Sequence, residues 1–203
     1  RISLDISAGC GDYLILSSHK IGGPKGAGAI VAASDLMMPK PLVTGGGQEK
    51  GHRAGTENLP AIAGFGAAAR EALAGLDDME RVRVLRDRVE ADVVRLVPDA
   101  VFYGKGAERL RNTTFFAIPG MKAETAQIAF DLAGIALSTG SACSSGKVGP
   151  SQVLKAMGEG DDAGALRVSI GRGTSNADVD LFVAALTVIA GRRAAKETAA
   201  QAA

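Results

Sequence analysis

Two short apolar runs on either side of a glycine-rich segment constrain this chain more than any other feature. Tyr13-Leu14-Ile15-Leu16 and the run from Gly26 to Ala33 each suit a buried strand, and Gly22-Gly23-Pro24 between them forces a turn. The first strand delivers Ser17-Ser18-His19-Lys20 to a sheet edge just ahead of that turn. An amine held there among hydroxyls and an imidazole suits covalent attachment to a carbonyl cofactor, because a partly desolvated lysine gives up its proton more readily and becomes a nucleophile. Position alone also allows Lys20 to be an ordinary solvated charge and His19 a structural hydrogen-bonding residue. Cys143 lies in Ser141-Ala142-Cys143-Ser144-Ser145-Gly146-Lys147, a small-residue loop with no aromatic or large aliphatic neighbour to bury it. A lone cysteine is otherwise a small buried hydrophobe. An amine and a thiol nucleophile in one chain invite a sulfur-transfer reading.

The 203 residues, 46% hydrophobic and 22% charged, suffice for one or two globular domains with a sizeable core. The 27 glycines, the lack of tryptophan and the alanine-rich helical stretches favour an α/β protein over a β-sandwich. A net charge of +1 gives no reason to expect nucleic acid or an anionic membrane as partner. Cys10 and Cys143 form neither a CxxC motif nor a metal-ligand cluster, which points to a reducing compartment. No apolar run approaches the ~20 residues of a membrane span and no signal-peptide pattern opens the chain, so a cytoplasmic protein is expected. Arg1 stands first, and Ile2-Ser3-Leu4-Asp5-Ile6 reads as the middle of a folded segment, as in a fragment.

Farther along, Met38-Pro39-Lys40-Pro41 breaks the pattern, and a glycine-rich loop occupies 45–58. A helix is expected from Leu59-Pro60 to about Leu73, proline being tolerated in a first turn. From Met79 to Leu96, Val82, Leu85, Val89, Val93 and Leu96 recur at helical spacing, with the arginines between them read as a solvated face. Strands are expected at 100–103, 113–118, 135–137 and 166–170, and helices at 124–132 and 151–157. Ser175 and Asp178 form a capping box for a last helix with Val179, Phe182, Val183, Leu186 and Ile189 on its apolar face, followed by a frayed tail from Ala194. The change of texture near residue 66 marks the expected domain boundary.

Gly146-Lys147 after Gly140 is not a P-loop: the glycine spacing is too long and Val148 replaces the magnesium-binding hydroxyl. The glycines of 22–28 likewise miss the dinucleotide spacing, and Pro24 suits a turn better than a helix start. The loop at 45–58 suits a phosphate, with glycine amides plus His52, Arg53 and Thr56 as donors, or equally a plain connection.

Four ordered motifs make a family resemblance specific: Ser-Ser-His-Lys-Ile-Gly-Gly-Pro-Lys-Gly at 17–26, Gly-Gly-Gly-Gln-Glu-Lys-Gly-His-Arg-Ala-Gly-Thr-Glu-Asn at 45–58, Gly-Ser-Ala-Cys-Ser at 140–144 and Arg-Val-Ser-Ile-Gly-Arg at 167–172. Together they resemble the cysteine desulfurases, pyridoxal-phosphate enzymes of the class V aminotransferase group, in the branch serving nitrogenase and iron-sulfur cluster assembly. The resemblance implies the C-terminal half of a fold type I transferase, with 1–66 ending the large cofactor domain and 67–203 forming a small α/β domain. It implies that Lys20 bonds pyridoxal phosphate, that His19 and Ser17 hydrogen-bond the cofactor phosphate, with His19 also catalytic, and that Thr56 reaches the phosphate of the other subunit in a homodimer. Arg167 and Asn112 are implied to contact substrate L-cysteine, and Cys143 to accept its sulfur as a persulfide for a sulfur-acceptor or iron-sulfur scaffold protein. Lys50, His52 and Ala54 stand where the family more usually has arginines and a serine. Neither Asp5 nor Asp12 takes the role of the aspartate that pairs with the pyridine nitrogen, which the resemblance places upstream of Arg1. A selenocysteine lyase or aminotransferase of the same class, or a non-catalytic module needing a second chain, are the alternative readings.

Overall fold

A computed structural model describes residues 2–140, 151–159 and 164–201. The chain divides into two units, Arg1–Asp77 and Asp78–Ala203. The boundary expected near residue 66 falls inside a helix, because α1 (Leu59–Ala74) continues unbroken through Gly64 and Gly66.

In the first unit, β1 (Tyr13–Ser17) and β2 (Gly28–Ala32) pair antiparallel, with Ile15 opposite Ile30 and Ser17 opposite Gly28. Gly28 is required there, since an added Cβ would lie 2.7 Å from the Leu16 carbonyl oxygen. After β1 the chain tightens into a 3-10 turn, Ser18–Ile21, closed by Gly22 at φ 92°. The Ser18 carbonyl accepts from the amides of Gly22 and Gly23, and the Ser18 amide donates to Ala27 O at 3.1 Å. Helix α1 starts where Asn58 Oδ1 accepts from the Ala61 amide at 3.3 Å, with Pro60 in its first turn. It packs against the turn by means of small residues. A Cβ added to Gly64 would lie 2.5 Å from Pro24 Cγ, and one added to Gly23 would lie 3.1 Å from Ala68 Cβ.

The second unit is an antiparallel sheet ordered β3-β4-β6-β5, from Val101–Phe102, Thr113–Ala117, Leu166–Ser169 and Ser138–Thr139 respectively. Helices α2 (Met79–Leu96), α3 (Ala123–Leu132) and α5 (Asn176–Gln201) supply most of its core, and α4 (Gln152–Ala156) is a short addition. The expected stripe of α2 is buried at Val82, Leu85, Val89 and Val93 and half-buried at Leu96, and from Leu85 onward it joins Phe116, Phe130, Leu166, Phe182 and Leu186. The Phe130 and Phe182 rings stack at 5.2 Å. The capping box of α5 forms as expected: Ser175 N donates to Asp178 Oδ2 at 2.8 Å and Asp178 N to Ser175 Oγ at 3.3 Å.

Further expectations are corrected. The strands on either side of the Lys20 turn are not buried, for Tyr13, Ile15, Ile30 and Val31 are all exposed. The tail from Ala194 is not frayed: α5 runs on to Gln201, as alanine, lysine and glutamate favour. The strand expected at 135–137 lies at Ser138–Thr139, where β6 offers a partner. The charged side chains of α2 are not all solvated, for Arg86 and Glu90 are buried at 7% and 4% exposure. Arg109 grips Glu90 with two hydrogen bonds of 2.6 and 3.0 Å, and the Arg86 guanidinium stands 3.9 Å away. Burial by itself would raise the Glu90 pKa, but the bonds from Arg109, with the Thr114 hydroxyl and the charges of Arg109 and Arg86 adding to them, outweigh this and hold it below the ordinary carboxylate value. No helix among the described residues is long and apolar enough to cross a membrane.

Candidate functional site

In the first unit, Ser17 ends β1, and His19 and Lys20 project from the following turn, both exposed. Ser18, between Ser17 and His19, is fully buried, and its Oγ has no hydrogen-bond partner among the described residues. The turn is therefore held from below by packing and by two amides on one carbonyl, while its next two side chains face solvent. An amine presented this way keeps a fixed base and an open approach.

The glycine-rich loop is built differently from a simple anion cradle. Glu49 and Lys50 both take left-handed backbone conformations, at φ 51° and 56°, which are uncommon for residues with a side chain. Arg53, expected as a phosphate donor, is engaged within the loop: Nη1 donates to the carbonyls of Ala54 and Gly55, and Nη2 lies 3.5 Å from Glu49. Thr56 and His52 remain exposed.

In the second unit, Arg167 sits in the middle of the sheet, opposite Phe115 on β4 and Ser138 on β5. Its Nε is buried and makes no hydrogen bond among the described residues. Asn112, at 4% exposure, ties the sheet together where β4 begins: Nδ2 donates to Ile170 O at 3.1 Å, and its carbonyl accepts from the Ile170 amide at 2.9 Å. Its Oδ1 is buried without a partner among the described residues. Asn112 thus has a place in the fold that its sequence position did not announce.

Cys143 lies outside the described residues, as does the rest of its motif after Gly140. The strand leading to it is described. Gln127 on α3 donates from Nε2 to Leu137 O at 3.2 Å, and its Oε1 accepts from Thr139 Oγ1 at 3.2 Å. Sequence reasoning missed Gln127. The available signal was an amide one position beyond Ala126 on the buried side of a short helix, where a polar side chain needs partners. No group of three or more potential metal ligands occurs among the described residues.

A protein-family model for aminotransferase class V matches residues 1–182. The chain belongs to the aminotransferase class-V family. Among class-V relatives, a cysteine desulfurase of Cereibacter sphaeroides is 43% identical over 180 residues, covering 88% of this chain and 46% of that protein. A cysteine desulfurase of Bradyrhizobium diazoefficiens is 42% identical over 203 residues, covering 98% of this chain and 51% of the relative. The chain therefore spans about half the length of the curated relatives it matches. Among solved structures, a NifS-like protein from Rickettsia africae superposes with a TM-score of 0.81 at 33% identity, over 93% of this chain and 50% of that one. The expected α/β fold, part of a fold type I transferase, is the class-V fold found here.

Proposed function

We propose that the whole protein is a pyridoxal-phosphate-dependent cysteine desulfurase, converting L-cysteine to L-alanine and retaining the sulfur as a persulfide on Cys143. Lys20 carries this reading: it is an exposed amine on a turn anchored by buried Ser18, in a chain closely related to named cysteine desulfurases. The neighbouring residues suit a phosphorylated aldehyde. An amine is present to bond its carbon, and the His19 imidazole and the Ser17 hydroxyl are present to meet oxygen.

Pyridoxal phosphate bound there would supply an electron sink for the substrate α-carbon. Lys20 Nζ would hold it, and as a free amine would take the α-proton. His19 and Ser17 would donate hydrogen bonds to the phosphate. The Arg167 guanidinium, whose buried Nε has no hydrogen-bond partner among the described residues, orients the substrate carboxylate. Asn112, its amide nitrogen committed to Ile170, braces the strand pair, and its Oδ1, without a partner among the described residues, is the atom that would meet a substrate donor. The Cys143 thiolate attacks the substrate sulfur as the carbon–sulfur bond breaks. In this reading the protein is a cytoplasmic homodimer, exposed Thr56 reaches the phosphate held by the other subunit, and the sulfur passes to an acceptor for iron-sulfur cluster assembly.

The test is incubation of the full-length protein with L-cysteine, followed by alanine assay and peptide mass spectrometry. Sulfur should appear on the Cys143 peptide, and Cys143→Ser should still bind cofactor and cysteine but make no alanine. Undiminished alanine from Cys143→Ser would refute the assignment. Borohydride should fix the cofactor on the Lys20 peptide; cofactor found on Lys25 would move the nucleophile.

A further inference from the structure

We propose that Gln127 is a positioning residue for sulfur transfer, holding the strand that carries the chain toward Cys143; this rests on the desulfurase reading above. Strand β5 is only two residues long, Ser138–Thr139, and lies at the edge of its sheet. On one side it pairs with β6, placing Ser138 opposite Arg167 and Thr139 opposite Leu166, and the Gly140 amide adds a bond to Ala165 O at 3.3 Å. So short a ladder fixes a strand poorly, and an edge strand has an unpaired flank.

Gln127 closes that flank. After α3 the chain reverses through Gly134, at φ 78°, and returns so that Leu137 and Thr139 come within reach of the Gln127 side chain. The amide nitrogen donates to the Leu137 carbonyl while the amide oxygen accepts the Thr139 hydroxyl proton, both at 3.2 Å. One orientation of the amide satisfies both bonds, whereas the flipped one faces oxygen with oxygen. Of the side chains of this size, only glutamine donates and accepts at once: glutamate lacks the donor, and methionine lacks effective versions of both. Gln127 therefore secures β5 on the flank opposite β6, four positions before Cys143 in sequence. Because attack on the substrate sulfur requires near-contact geometry, a loosened approach strand should slow that step more than it weakens cysteine binding.

The experiment uses the full-length holoenzyme and three variants, Gln127→Met, Thr139→Val and the double variant. In Gln127→Met, kcat for alanine formation should fall on the order of ten- to a hundredfold. The KM for cysteine and the cofactor absorbance should stay close to wild type. Thr139→Val should show a smaller loss, and adding it to Gln127→Met should cost nothing further, since the shared bond is already gone. Hydrogen exchange on cofactor-free protein provides a readout independent of activity: the peptide containing Leu137 and Thr139 should exchange faster in Gln127→Met, with distant peptides unchanged. Unaltered kcat, or unaltered exchange in that peptide, would overturn the proposal, as would losses that track global destabilisation. A wild type that makes no alanine from cysteine would overturn the underlying reading, whereas an active wild type indifferent to Gln127→Met would overturn this proposal alone.

Discussion

Two glycines in α1, one turn-facing and one not, allow the anchoring of the Lys20 turn to be weighed by the same substitution made twice. Alanine at Gly64 would place Cβ 2.5 Å from Pro24 Cγ and 2.8 Å from Pro24 Cδ, and the proline ring is stiff, so helix and turn must separate by about 1 Å to restore ordinary contact. Alanine at Gly66 would meet only Arg70 Nη1, at 3.8 Å, which is ordinary contact with a flexible side chain. Both changes gain about 1 kcal/mol of helix propensity. Only Gly64→Ala adds an overpacking cost, about 1–3 kcal/mol. Gly66→Ala should therefore stabilise the protein by up to about 1 kcal/mol. Gly64→Ala should fall short of it by about 1–3 kcal/mol and be neutral to destabilising overall. The difference isolates the steric contribution, because backbone entropy changes alike in both. Urea unfolding of the full-length protein, followed by circular dichroism, measures it. Equal stabilisation by the two variants would refute the close approach of α1 to Pro24, and with it the rigid base assigned to Lys20.

Further outcomes follow from the second unit. Glu90→Gln keeps the shape of the side chain but removes the charge that Arg109 and Arg86 share, and should destabilise the protein by about 1.5–3 kcal/mol at neutral pH. Since the folded pKa of Glu90 lies below its ordinary value of 4.5, its contribution is complete above pH 4.5 and fades as pH falls through the lower folded value. Stability measured from pH 6 downward, on the order of one unit at a time, should thus show a shallower acid limb in Glu90→Gln, and an unchanged limb would refute the pairing. Arg167→Ala should raise the KM for cysteine about ten- to a hundredfold, the equivalent of one charge-assisted bond, in steady-state kinetics of the intact enzyme. An unchanged KM would place the carboxylate contact elsewhere.

Local signals were sufficient for a large part of this protein. The strand-turn-strand around Lys20, the α2 stripe and the α5 cap all follow from periodicity, glycine placement and one Ser-Asp pair, because each is decided by residues near one another in the chain. The family was legible for the same reason, being carried by four contiguous motifs. What the sequence left open depends on partners distant along the chain. Strand β5 is set by β6 and by Gln127, not by the apolar Ile135-Ala136-Leu137 that suggested it. Arg86 and Glu90 look like surface charges until Arg109, 19 residues after Glu90, arrives to neutralise the carboxylate. The two units divide at Asp77 and Asp78, not at the change of texture near residue 66, because α1 runs on through that point and its Gly64 lies against Pro24 of the Lys20 turn. Backbone propensity acts over a few residues and can be read along the chain; the satisfaction of buried charge and strand edges is decided only when remote segments meet.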